Sequence, residues 1–105
     1  MPTKVAIKFE AHEAEVTAVR WDPSGRRFAT AGADRKIKIW EISQSGHAEC
    51  RATLVGSNNA VMSVDFDSTS RMLVGASNDY ATRIWNVDDC RLRHVLTGHS
   101  EKVNV

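Results

Sequence analysis

A chain of 105 residues with 42% apolar and 26% charged positions has the make-up of an ordinary globular protein of one domain. Lys and Arg number 14 against 13 Asp and Glu, a net charge of +1, so no long-range field draws in nucleic acid or an anionic membrane. Cys50 and Cys90 form neither a disulfide framework nor a paired Cys-x-x-Cys metal site, and reduced thiols of an intracellular protein are expected.

Met1 to Lys8 is interrupted by Lys too early for the apolar region of a signal peptide, and no apolar run approaches a transmembrane length. A cytoplasmic chain without direct membrane insertion is the expectation. Residues 4–9 alternate charged and apolar, with Val5, Ile7 and Phe9 on one face, and suit a half-exposed strand. Residues 10–15 read as a loop containing His12, and 16–21 as a strand rich in β-branched and aromatic residues. Asp22 Pro23 Ser24 Gly25 is a type I turn signal, with Pro at its second position and Gly at its fourth. Strands are predicted at 28–32, 36–42 and 48–55, joined by a turn at Asp34 and Arg35 and by a loop at 44–47.

The second half follows the same order, with strands predicted at 60–66, 72–77, 81–87 and 91–97. Asp67 Ser68 Thr69 Ser70 lacks both the Pro and the Gly of the first turn, so a less sharply fixed turn is expected there. Arg91, Arg93 and His94 make a small basic cluster, by default a solvated face.

The two halves are a repeat. Thr30 Ala31 Gly32 Ala33 Asp34 Arg35 Lys36 Ile37 Lys38 Ile39 Trp40 Glu41 aligns with Gly75 Ala76 Ser77 Asn78 Asp79 Tyr80 Ala81 Thr82 Arg83 Ile84 Trp85 Asn86 at a constant offset of 45 and without a gap. Each copy reads as a strand, a tight turn carrying Asp, and a second strand ending in Trp, the pattern of a four-stranded propeller blade. A closed ring needs at least four blades, about 170 residues at this period, so the chain is expected to be a piece of a larger ring or to pair with other chains. Leu96 Thr97 Gly98 His99 opens a third unit after a loop three residues shorter.

His12, Thr30 and Asp34 hold the ingredients of an imidazole, hydroxyl and carboxylate triad. Catalysis would need an exposed nucleophile and an oxyanion hole, and neither a Gly-x-Ser-x-Gly elbow nor a phosphate-binding Gly loop occurs. The structural reading is that Asp34 orients His12, His12 reaches Thr30, and Thr30 reaches the indole N–H of Trp40, satisfying polar groups buried between strands. The second unit keeps Asp79 and Trp85 but has Ser57 and Gly75 in place of His12 and Thr30. Its network is therefore expected to be broken, leaving a weaker blade that relies on packing of Val61, Val64, Phe66, Leu73, Ile84 and Trp85. His99 restores the histidine for the third unit. His47 and Cys50 have a His-x-x-Cys spacing but no second pair in reach, so no metal or other cofactor is expected.

These repeats resemble the WD40 family. In that layout residues 4–9 are the outer strand of a preceding blade, 10–55 the first repeat, 56–97 the second and 98–105 the start of a third. The second unit is more particular: Gly56 Ser57 Asn58 Asn59, Val64 Asp65 Phe66 Asp67 Ser68, Ala76 Ser77 Asn78 Asp79, Arg83 Ile84 Trp85 and Leu96 Thr97 Gly98 His99 Ser100 closely resemble the first blades of the autophagy-related protein sixteen family. Ala11 His12, Glu15 Val16 and Asp34 Arg35 in the first unit agree.

That resemblance implies an all-β propeller fragment of about two blades plus the start of a third, acting as a non-catalytic scaffold. The family's complex directs attachment of a ubiquitin-like protein to membrane lipid during autophagosome formation, and its propeller docks partners. Expected partners are proteins held by the propeller loops and the remaining blades of the parent chain, with no nucleic acid and no small-molecule substrate. Recruitment to autophagic membranes would come through those partners. The resemblance places Glu13, Arg35, Asn58, Asn59, Tyr80 and Lys102 on the upper face as candidate contacts, Tyr80 foremost because aromatics are enriched at interface hot spots. A generic adaptor, such as a ubiquitin-ligase substrate receptor or a subunit of an RNA-processing assembly, is the rival reading.

Overall fold

Eight strands in chain order alternate with tight turns in the computed structural model, which describes residues 9–97. They are β1 (Val16–Trp21), β2 (Arg27–Gly32), β3 (Ile37–Ile42), β4 (Ala48–Leu54), β5 (Val61–Phe66), β6 (Met72–Ser77), β7 (Thr82–Asn86) and β8 (Leu92–Leu96). Each strand lies within two residues of its predicted bounds. They form two antiparallel four-stranded meanders, β1-β2-β3-β4 and β5-β6-β7-β8, hereafter blade one and blade two. The predicted strand at 4–9 falls outside the described residues except for Phe9, as do His99, Lys102 and the start of the third unit.

The repeat is visible in the register. Phe28 faces Trp40 in blade one, and Leu73 faces Trp85 in blade two. Irregularities between Val16 and Ala18 and between Ile39 and Trp40 recur between Val61 and Ser63 and between Ile84 and Trp85. Matching bulges twist both meanders alike, and so let one stack on the other.

Between the sheets lies the main core. Ala29, Ala31, Ile37, Ile39 and Leu54 of blade one meet Val61, Val64, Phe66, Leu73 and Trp85 of blade two. Ile37, Ile39, Leu54, Val61, Leu73 and Trp85 are fully buried, and burial of a large aliphatic side chain is worth about 1.5–3 kcal/mol. Ile84 departs from the expected packing set: pleating turns it to the opposite face from Trp85, and it is only half-buried. A smaller aromatic cluster of Phe28, Trp40 and Ala11 covers the far side of blade one, with Phe9 and Trp21 against it.

Polar bonds across the seam fix the angle between blades. Thr17, at the bulge of β1, donates its hydroxyl to the Val61 carbonyl. Arg27 donates to the Ser70 carbonyl at 3.0 Å while also reaching Asp22. At the β5–β6 connection a serine takes the left-handed position that glycine holds in the first turn. Ser70 adopts φ 61°, close to the 73° of Gly25, and its N–H bonds the Asp67 carbonyl at 3.1 Å, against 3.0 Å for Gly25 and Asp22. Asp67 Oδ1 accepts from the backbone N–H groups of Arg71 and Met72, and Thr69 donates to Oδ2. Asp22 makes the same Asx-type cap with the Ser24 hydroxyl and the Arg27 N–H, so the second turn closes like the first rather than as the looser turn expected from its composition.

Candidate functional site

The upper edge of the blades carries the loop before β1, the β2–β3 turn, the loop from β4 to β5 and the β6–β7 turn. In blade one His12 bridges two of them. Its Nδ1 lies 3.0 Å from both Asp34 carboxylate oxygens and its Nε2 lies 2.7 Å from Thr30 Oγ1, while the Trp40 indole donates to the same oxygen at 2.9 Å. Only one proton order satisfies every group, since an indole can only donate and a carboxylate only accept. Trp40 N–H donates to Thr30, the Thr30 hydroxyl donates to Nε2, and Nδ1–H donates to Asp34. Asp34 also accepts from the N–H of Lys36 and of Glu13, locking the turn to the loop. Burial alone raises the Asp34 carboxyl, but the hydrogen bonds from His12 and the Lys36 N–H outweigh it and hold the group below the usual carboxylate range. Thr30 is buried.

Blade two replaces this network instead of lacking it, which corrects the expectation of packing alone. Arg83 reaches across to Asp79 with two bonds, Nη2 to Oδ2 at 2.6 Å and Nη1 to Oδ1 at 3.1 Å, and donates to Ser77 Oγ at 2.9 Å. Ser77 donates in turn to Asp79. The Arg83 guanidinium holds the Asp79 carboxyl far below the usual carboxylate range, against the smaller opposing effect of burial. Fork-on-carboxylate pairing of this kind is the strongest of the common side-chain hydrogen bonds. The offset of 45 carries Lys38 onto Arg83 and Gly32 onto Ser77, so the replacement parts were legible in the alignment. In blade one Lys38 instead lies with its ammonium 5.9 Å from the Trp40 ring.

Space explains why the two solutions are exclusive. A Cβ on Gly32 would fall 2.5 Å from Asp34 Oδ1 and 2.7 Å from His12 Nδ1, so a histidine there demands glycine. With Ser57 in place of histidine, that volume is free and Ser77 fills it. Gly75 is a second coupled site: its Cβ would meet Ile37 Cδ1 at 2.9 Å and Trp85 Cζ3 at 3.0 Å. Trp85, without a threonine to bond, donates its indole N–H to the Val55 carbonyl at 2.8 Å. Restoring the blade-one residue by Gly75→Thr should therefore lower stability by about 2 kcal/mol through overpacking, as urea unfolding can measure. An unchanged or raised midpoint would show that Ile37 moves aside freely.

Of the candidate contacts, Glu13, Arg35, Asn58, Asn59 and Tyr80 are all exposed. Two of them also serve the scaffold: Asn58 N–H donates to Asp79 at 3.3 Å, and Asn59 Oδ1 accepts from the N–H of Ala60 at 2.8 Å. Arg35 and Tyr80 occupy equivalent corners of the β2–β3 and β6–β7 turns with φ of 72° and 65°. On the lower edge the same left-handed position is held by Gly25 and Gly46 in blade one and by Ser70 and Cys90 in blade two. Both upper turns keep large side chains despite a steric cost of about 1–2 kcal/mol per residue. Arg93 and His94, grouped in the sequence, are consecutive in β8 and point to opposite faces.

The model for "WD domain, G-beta repeat" matches residues 3–41 and 48–86. The chain belongs to the WD40 repeat family. Among relatives of this WD40 chain, Autophagic-related protein 16.2 of Caenorhabditis elegans is 38% identical over 99% of the chain and 20% of its own length. Protein tipD of Dictyostelium discoideum is 32% identical over 98% of the chain and 16% of its own length. Protein Atg16l2 of Homo sapiens is 36% identical over 87% of the chain and 14% of its own length. The chain thus spans a fifth or less of these relatives. WD proteins of other description also match, among them the pre-mRNA-splicing factor cwf17 of Schizosaccharomyces pombe at 31% identity. No helix among the described residues is long and apolar enough to cross a membrane.

Proposed function

We propose that this chain is part of the docking platform of an Atg16-like protein, a non-catalytic scaffold that acts in autophagosome formation and in lipid conjugation of a ubiquitin-like protein. The similarity to Autophagic-related protein 16.2 along 99% of the chain carries this reading. Residues 10–55 and 56–97 are its first two repeats, 98–105 opens a third, and 4–9 completes a preceding blade. The His12, Thr30, Asp34 and Trp40 network has a structural role, holding the upper loops in place so that their side chains meet a partner without an ordering cost. Its threonine is buried and its oxygen engaged by Trp40 and His12, which favours support over catalysis. The platform works in the cytoplasm and reaches autophagic membranes through its partners.

Tyr80 and Arg35 are the central contacts, since both are exposed at the upper turns and Tyr and Arg are enriched at interface hot spots. Replacing both by glycine relieves the backbone and removes the contacts. Partner affinity of the intact propeller should then fall tenfold or more, on the order of a single hot spot, while its melting temperature holds or rises. Binding of every partner at wild-type strength in a pull-down with the double variant would sink this assignment. The match to cwf17 favours a second reading as an RNA-processing subunit. A coiled coil encoded upstream of Met1 would support the first reading, and an F-box or a spliceosomal module there would support an adaptor of another kind.

A further inference from the structure

Asp34 and Asp79 organise the upper rims of their blades in the same way. Asp34 accepts from the N–H of Glu13 at 3.4 Å and of Lys36 at 3.2 Å, and Asp79 accepts from that of Asn58 at 3.3 Å and of Ala81 at 3.2 Å. The Glu15 carbonyl accepts from the Ala33 N–H at 2.8 Å, and the Ala60 carbonyl from the Asn78 N–H at 3.0 Å. The two rims therefore share one backbone, position for position.

Their side chains do not share a charge pattern. The offset of 45 carries Glu13 onto Asn58 and Glu15 onto Ala60, and it carries Arg35 onto Tyr80 and Lys36 onto Ala81. Each of these four charged side chains is replaced by an uncharged one. Blade two keeps Asp79 and Arg83, but they grip each other, with side chains 16% and 5% exposed, and neutralise one another below the surface. What remains outward is amide and phenol: Asn58, Asn78 and Tyr80, whose side chains make no hydrogen bond among the described residues.

We propose that the rim of blade two receives an uncharged segment of an extended peptide, a role that rests on the docking function of the upper loops. An amide side chain both donates and accepts, so Asn58 and Asn78 match the N–H and C=O groups of a peptide backbone. Tyr80 offers a large, rigid ring to an apolar side chain of the same segment. A Lys, Arg, Asp or Glu of the partner would lose water here and find no opposite charge, since both charges of this rim are already paired. The rim thus selects by excluding charge.

Panning a random-peptide phage library on the 105-residue chain tests it, with circular dichroism confirming that each variant is folded. Peptides retained by the parent and lost with Tyr80→Gly should share an uncharged core. Their affinity should change less than about twofold between about 0.05 and 0.5 M salt, because no ion pair is there to be screened. Asn58→Glu places the residue of blade one on a backbone that already holds it at Glu13, yet it should weaken these peptides about tenfold, since a carboxylate cannot donate to a peptide carbonyl. An acidic or basic core in the Tyr80-dependent peptides, an affinity that falls tenfold with that rise in salt, or full binding to Asn58→Glu overturns the proposal and leaves the docking surface standing. A library that yields no Tyr80-dependent peptide overturns it as well, and if none depends on Arg35 either, the docking function of the upper loops falls with it.

Discussion

Arg83→Ala should destabilise the fold by about 3 kcal/mol, because removing one partner of a buried ion pair strands the other. The Arg83 side chain is 5% exposed, and Asp79 would keep its charge with only Ser77 and backbone N–H groups for company. Urea unfolding followed by circular dichroism measures the loss. A change within about 0.5 kcal/mol, typical of an ordinary surface position, would show that water replaces the guanidinium at little cost. Arg83→Lys should fall between, since an ammonium keeps the charge but cannot grip both carboxylate oxygens.

Acid provides an independent check on the same pair. Asp79 is depressed in the folded state, so its stabilising contribution is fully present above its unfolded value near 3.9 and fades only as pH falls through the lower folded value. No loss from this group is expected between pH 7 and about pH 5. Without Arg83 the depression shrinks, and the variant should lose less stability than the parent between pH 4 and pH 2. Parallel acid-unfolding curves would contradict this.

Gly32→Ala should be nearly as damaging, about 3 kcal/mol, although the backbone there is not in the left-handed region. The added carbon cannot coexist with His12 and Asp34 in their present places. Either the imidazole withdraws, leaving the Thr30 hydroxyl without its acceptor and Asp34 with backbone N–H donors alone, or the turn opens. A double-mutant cycle isolates the cause. Once His12→Ala has removed the ring, adding Gly32→Ala should cost less than about 1 kcal/mol. Additive losses would place the strain elsewhere than at the imidazole.

How much of this was readable beforehand differs by scale. Strand positions followed from alternation and turn residues, because the pleat forces side chains to alternate whatever surrounds the sheet. Connection of His12, Thr30, Asp34 and Trp40 followed from the repeat, since hydrogen-bonding capacity and spacing are local to one blade. Arg83 was missed for a different reason. An arginine in a strand reads as solvated until its face is known, and its burial depends on the absence of a histidine 26 residues earlier at Ser57. Ile84 was misplaced because an apolar residue beside Trp85 fits either side of a pleat. Ser70 hid its turn because the feature that closes it, the paired acceptors of Asp67, lies three residues away. The fit of Ile37 over Gly75 belongs to two strands in different sheets, and no window along the chain contains both.

The tryptophans stand in three distinct optical environments. Trp21 is largely in water, Trp40 is held by a side chain of its own blade, and Trp85 is fully enclosed with its N–H on a carbonyl between the blades. Their emission colours should therefore separate, with Trp21 reddest and Trp85 bluest. Parting of the two blades would wet the Trp85 indole before either sheet unravels, so its red shift would report the seam opening by itself. The chain thus carries a native fluorophore on the joint that decides whether it is one body or two.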